Sequence, residues 1–305
     1  MTTSSLEENV GPATSETRST IPVGDFSQEK AKWTVGRMLA HLVLVIFAFV
    51  ILFPFYWMLV TSVRPQTAIS TAGAVLWPEE ITFFNYEQVI SAHLYPAIMN
   101  SFVAGIVSTI LAVALGTLAA YGLERYQFRG REDVAFFILS QRMMPPIAIA
   151  IPILLIIRTI GLADSLLALI LLYTVFNLPL AMWIMRSFVR SVPVELEEAA
   201  LVDGYRPFTV FMKITVPLLR VGVAVTAIFI FIFAWNEFLF ALIITTHGGA
   251  GTLPLALATL AGSPWGIEWG PMMALSLIAI LPVLLLYGTV VVFLSRGINL
   301  GGVRG

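Results

Sequence analysis

A chain of 305 residues that is 58% hydrophobic and only 11% charged, with a mean hydropathy of +0.91, cannot cover a water-facing surface, since soluble domains carry roughly 25% charged residues. It reads as an all-α integral membrane protein. Its net charge of −1 gives no electrostatic support to a nucleic-acid partner, and the lack of cysteine excludes disulfides, thiolate metal sites and cysteine nucleophiles.

The opening 30 or so residues are rich in Ser, Thr and Glu and contain no apolar run. They read as a disordered tail rather than a signal peptide, and the tail is set at 1–37. Six apolar stretches then reach the roughly 20 residues that a membrane helix needs. The first is Met38–Thr61, followed by an external segment to Ala97. The second, Ile98–Tyr121, carries Gly105, Ser108, Gly116 and Ala119, small residues that let helices approach closely. The third, Val134–Ile157, is interrupted by Pro145, Pro146 and Pro152. The fourth is Ser165–Met185, the fifth Val221–Thr245 and the sixth Met272–Leu294. Five of them make up a core set at 98–295, with a tail at 296–305.

Lys and Arg favour cytoplasmic loops. With the N-terminus inside, all of the 17 basic residues except Arg64, Arg142 and Arg158 fall in the N-terminal tail, the 2–3 and 4–5 loops, or the C-terminal tail. Both termini are thus expected in the cytoplasm. The external segments hold Trp77, Pro78, Glu79, Glu80 and Tyr86 before span two, and Trp265 and Trp269 before span six. Anchoring at the membrane surface is the simpler reading of these aromatics than stacking on a sugar.

The longest internal loop, about 191–220, contains "EEAALVDGYRPFTVFMKITVP". Ser191 is placed to cap a helix with Pro193 in its first turn, and Glu195, Glu197 and Glu198 sit near the positive end of its dipole. Gly204 can end that helix in a left-handed turn. Pro207 can open a second helix and Pro217 stop it, with Phe208, Phe211, Met212 and Thr215 on one face. Helices of about ten residues span roughly 15 Å, too short to cross a bilayer. A solvated linker is the plain reading of such a hairpin.

The spacing argues for more. Glu198-Ala199-Ala200, three residues, Gly204, nine residues, Ile214, one residue, then Val216-Pro217 resembles the EAA loop of ABC-importer permeases, with Val216 where Leu is more usual. "FPFYWMLVTSVRP", "NLPLAMWIMRSFVRSVPVELEEAALVDG", "AWNEFLFALIIT" and the C-terminal stretch from Trp269 are similar to the carbohydrate-uptake group, and within it to the second (MalG-type) permease subunit of maltose-type importers. The resemblance covers about Leu52–Gly305. It implies a MetI-like type-1 permease core of six transmembrane helices in a bacterial or archaeal cytoplasmic membrane. It also implies a second homologous permease subunit, two copies of a cytoplasmic ABC ATPase that bind ATP and Mg, and an extracytoplasmic solute-binding protein. The EAA helices would sit in a cleft of the ATPase, and Glu198, Ala199, Ala200, Asp203, Gly204, Ile214 and Pro217 are the coupling residues so implied.

The residues are consistent with that division of labour. There is no G-x-x-x-x-G-K-S/T phosphate loop, no H-E-x-x-H and no G-x-S-x-G elbow; neither a catalytic constellation nor a metal or cofactor site is read in this chain. Arg142 and Glu237 are ionisable residues at membrane depth, where a charge faces protein or a water-filled cavity. With Asn177, Trp235 and Asn236 they form a candidate solute pathway; an Arg142–Glu237 pair or a network that pins helices together is the alternative. The "GINLGGVRG" terminus reads on its glycines as a frayed tail, whereas the resemblance implies that it reaches between the ATPase subunits. A self-sufficient secondary transporter would predict repeated halves and several deep carboxylates; Glu237 is the one clear deep carboxylate in the sequence.

Overall fold

The computed structural model describes residues 35–72, 75–91, 94–245, 249–264 and 266–301, and among them every regular element is helical. In order these are α1 (Val35–Ser62), α2 (Gln66–Ala72), α3 (Phe84–Ile90), α4 (Tyr95–Arg125), α5 (Arg131–Ser140), α6 (Pro146–Thr159) and α7 (Leu166–Ser191). There follow α8 (Val194–Val202), α9 (Pro207–Val210), α10 (Val216–Leu218), α11 (Arg220–Trp235), α12 (Leu239–Ile244), α13 (Leu253–Ala261) and α14 (Trp269–Gly301). The chain divides into two compact units, Met1–Ile51 and Leu52–Gly305. The described part of the first is the leading portion of α1, whose large apolar side chains from Met38 to Val50 are exposed.

In the second unit α4 runs along α7, and α11 packs on both. Small residues bring the first pair together. Ala112, Gly116 and Ala120 of α4 meet Ala181 and Met182 of α7, and a Cβ at Gly116 would lie 2.8 Å from the Ala181 Cβ and the Met182 backbone nitrogen. Gly105 gives α11 similar access, since its missing Cβ leaves room for the Phe231 ring. At one end α3, α13 and α14 close over Trp235 and Phe231. Asn85, buried between them and α1, donates to the carbonyl oxygens of Ser62 and Arg64, both at 2.8 Å.

Among the described residues four helices are long and apolar enough to cross a membrane unbroken: Met38–Ser62, Tyr95–Arg125, Leu166–Ser191 and Trp269–Thr289. Two bent pairs reach the same length and hydropathy only when each is taken together, Arg131–Met143 with Pro146–Thr159 at 94°, and Pro207–Leu218 with Arg220–Trp235 at 76°. Counting each pair once gives six. The third span breaks at Pro145 and Pro146 as expected, after one 3₁₀ turn (Gln141–Met143), whereas Pro152 lies inside α6 without ending it. The fifth differs from its expected continuous Val221–Thr245 course. The backbone leaves the helix at Asn236–Phe238, where Glu237 takes N–H groups of the next turn, and α12 is a separate six-residue piece.

Two expected stops are also corrected. Ser191 is the last residue of α7 and its hydroxyl donates back to Phe188 O, so α8 begins at Val194 after Pro193 with no side-chain cap. Pro217 does not stop its helix. It sits in α10, directly after the π turn, and the chain turns at Leu219 instead. At the C-terminus the backbone stays helical through Gly301 rather than fraying at Gly297. Residues 1–34 of the expected tail at 1–37, Trp265 and residues 302–305 lie outside the described residues, and positions 35–37 already belong to α1. Trp77 and Trp269 are exposed, as surface anchors would be, while the Tyr86 hydroxyl pairs with that of Ser62 at 2.8 Å.

Candidate functional site

The expected coupling segment is built from α8, a tight turn and a distorted second helix. α8 ends in a Schellman motif: Tyr205 N donates to Ala200 O at 3.1 Å and Gly204 N to Leu201 O at 3.0 Å, with Gly204 at φ 86°. Only glycine takes that angle without strain. Pro207 opens α9, which passes into one π-helical turn, Phe211–Thr215, before α10. Within the expected apolar face, Phe211 and Thr215 turn inward, while Phe208 and Met212 stay exposed. The extra residue in the π turn spreads that face over two directions.

α8 is two-sided. Glu197 and Ala200 face inward, and Glu198, Ala199, Leu201, Val202 and Asp203 are exposed, Val202 at 87%. Of the remaining expected coupling residues, Gly204 and Pro217 are exposed and Ile214 half-buried. Glu197, which the motif does not single out, is 4% exposed and fully engaged. Its carboxylate accepts from Arg125 Nε at 3.0 and 3.1 Å, from the Tyr121 hydroxyl at 3.1 Å and from the Thr215 hydroxyl at 2.9 Å. Arg125 also donates through Nη2 to Val189 O at 3.0 Å and Val192 O at 2.9 Å, the carbonyls that close α7. Next to it Glu124 accepts from Arg186 and Arg190, and Arg186 reaches Glu132 of α5 at 2.6 Å.

A second polar site lies where the two helix breaks meet. A pocket of about 220 Å³ is lined by Arg142, Asn177, Glu237 and Gln141, with Tyr173, Phe176, Phe233 and Phe240 among its aromatic walls. Arg142 donates through Nη1 to Phe176 O at 2.8 Å and Asn177 Oδ1 at 3.1 Å, and lies over the Phe233 ring at 4.7 Å. Pro179 lacks the N–H that would bond back to Val175 O, and Arg142 donates to the next carbonyl of that stretch, Phe176 O. Glu237 accepts from Phe240 N at 2.9 Å and Ala241 N at 3.4 Å. Arg142 and Glu237 therefore share a pocket, each held by its own neighbours, without a direct ion pair among the described contacts. The other two expected pathway residues are elsewhere. Trp235 is buried against Phe231 and Phe102 and donates to Ala279 O at 3.1 Å, while Asn236 folds back onto Ile232 O. Sequence could not separate Trp235, Asn236 and Glu237, because three successive residues around a helix end point in three directions.

Comparison with known proteins places these features in a family. Residues 112–299 match the model of binding-protein-dependent transport system inner membrane components. The chain is 34% identical to the inner membrane ABC transporter permease protein YcjP of Escherichia coli, over 90% of this chain and 99% of that one. It is 36% identical to the trehalose transport system permease protein SugB of Mycobacterium tuberculosis, over 83% and 93%. With the trehalose/maltose transport system permease protein MalG of Thermococcus litoralis it shares 32% over 88% and 97%. In fold it is similar to a chain of a bacterial ABC transporter involved in the import of the acidic polysaccharide alginate, with a TM-score of 0.69 at 22% identity, covering 85% and 97% of the two chains. The rival of a self-sufficient secondary transporter gives way to this match, and the chain belongs to the inner-membrane permease components of binding-protein-dependent ABC transport systems.

Proposed function

We propose that this permease moves a sugar or sugar-like solute inward by alternating access, paired with a second homologous permease subunit and driven by two copies of a cytoplasmic ABC ATPase that bind ATP and Mg. An extracytoplasmic solute-binding protein delivers the solute, and both termini lie in the cytoplasm. The carbohydrate class follows the names of the relatives, which include permeases for trehalose, maltose and diacetylchitobiose.

The observation that carries the coupling role is the outer face of α8. A short helix between two spans presents Leu201 and the 87%-exposed Val202 beside Glu198 and Asp203. Apolar side chains flanked by carboxylates at a membrane-helix end suit a protein cleft with basic groups. In this reading Glu198, Ala199, Ala200, Asp203 and Gly204 form the docking helix and its turn, with Ile214 and Pro217 setting the second arm. Arg142, Asn177 and Glu237 line the solute path. Gly204→Asp is expected to abolish stimulated ATP hydrolysis and uptake in proteoliposomes while the permease remains in the membrane. Wild-type uptake and stimulation in that variant would overturn the coupling role. Thermal-shift screening of sugars against the cognate binding protein tests the solute class, and stabilisation only by non-carbohydrates would overturn it.

A further inference from the structure

The last turn of α4 is a junction. Glu124 is engaged by Arg186 and Arg190 of α7, while Arg125 turns to Glu197 of α8 and to the closing carbonyls of α7. Each Glu197 oxygen has two donors, Arg125 with Thr215 on one and Arg125 with Tyr121 on the other. Three pieces of chain thus meet on one carboxylate, α4, α8 and the π turn, and the end of α7 joins them through the Arg125 guanidinium. Phe211 adds an apolar contact, its ring 4.7 Å from that of Tyr121.

The covalent link alone would leave α8 free to swing. It joins α7 only through Val192 and Pro193, and its own start has no side-chain cap. A buried ion pair is a poor way to gain stability, because apolar residues of similar volume serve as well or better. It is a good way to fix one relative placement, since both partners must be satisfied at once.

We propose that the Arg125–Glu197 pair is the joint that turns displacement of α8 into displacement of α4, with Glu197 a positioning residue that acts through Arg125. The proposal rests on α8 being the ATPase-docking helix. The exposed carboxylates would meet the ATPase, and the buried one would carry the movement inward to the span that packs on α7 and α11.

The test uses the assembled importer in proteoliposomes, with three readouts: ATPase subunit retained, melting temperature, and solute moved per ATP. Glu197→Gln keeps the shape and loses the charge. It is expected to retain the ATPase subunit and to move about tenfold less solute per ATP, within the usual range of coupling between sites. An unchanged ratio overturns the proposal. The double variant Arg125→Met with Glu197→Met separates joint from packing. Wild-type melting with a lowered ratio supports the joint, and wild-type melting with a restored ratio shows that the pair only packs. Independently, spin labels at Glu195→Cys on α8 and Leu115→Cys on α4, both exposed positions, are expected to keep one separation with and without ATP. A change in that separation overturns the joint. Failure of the docking reading shows separately, as wild-type stimulation in Gly204→Asp.

Discussion

Gly116 shows how much one missing atom decides. A Cβ there would stand 2.8 Å from a neighbouring backbone nitrogen, and backbone cannot rotate aside as a side chain can. Gly116→Ala is therefore expected to destabilise the permease by about 1–3 kcal/mol, the usual cost of overpacking, read as a lower melting temperature in detergent. Gly122→Ala on the same helix, with nothing within 4 Å of its added Cβ, should leave the melting temperature near wild type. The small residues of α4 were legible in the sequence as a close-packing face, and Gly116 behaves as they predict. Glu197 was not legible. It adjoins Glu198, and consecutive residues of an α-helix differ by about 100°; composition fixes the helix without its rotation. The inward carboxylate is identified only once Arg125 and Thr215, distant in sequence, are brought beside it.

The third and fifth spans differ in whether their breaks carry a local signal. Pro145 and Pro146 announced the bend in the third span, because proline removes a donor and constrains the residue before it. The fifth span ends at Trp235 with neither glycine nor proline to mark it. A carboxylate that accepts the N–H groups of the following turn redirects the backbone there, and such a capping role is invisible in an apolar run. Both breaks open on the pocket that holds Arg142 and Glu237, the arrangement expected where non-helical backbone lines a cavity. Arg142→Ala removes donors to Phe176 O and Asn177 Oδ1. Uptake should fall about tenfold or more, as for a lost charged hydrogen bond of roughly 1.5–3 kcal/mol. Arg142→Lys should recover only part of it, because an ammonium lacks the planar fork. Equal uptake in Arg142→Ala, Glu237→Gln and wild type would remove the pocket from the solute path.

For the whole molecule, the orientation of the spans rests on where the basic residues fall, and the native chain offers a clean way to check it. With no cysteine to remove, single cysteines report their own side. Glu195→Cys, on the exposed face of α8, should react with a membrane-impermeant maleimide in inside-out vesicles alone. Glu80→Cys, exposed between α2 and α3, should react in whole cells once the outer barrier is permeable. The reverse pattern would invert the topology and place the proposed coupling segment on the wrong side of the membrane for the proposed ATPase.

The π turn at Phe211–Thr215 has a bearing on lengths. A π bulge holds one residue more than the α-helix on either side of it requires, so it stores spare chain. Deleting a residue inside it lets the backbone close into ordinary α-helix while the flanking turns keep their orientation. The same deletion in α8 would turn everything beyond it by about 100° and carry Glu197 off Arg125. The nine-residue spacer between Gly204 and Ile214 thus carries slack at the end that runs into the π turn, whereas α8 ahead of it, which holds the buried carboxylate, has none.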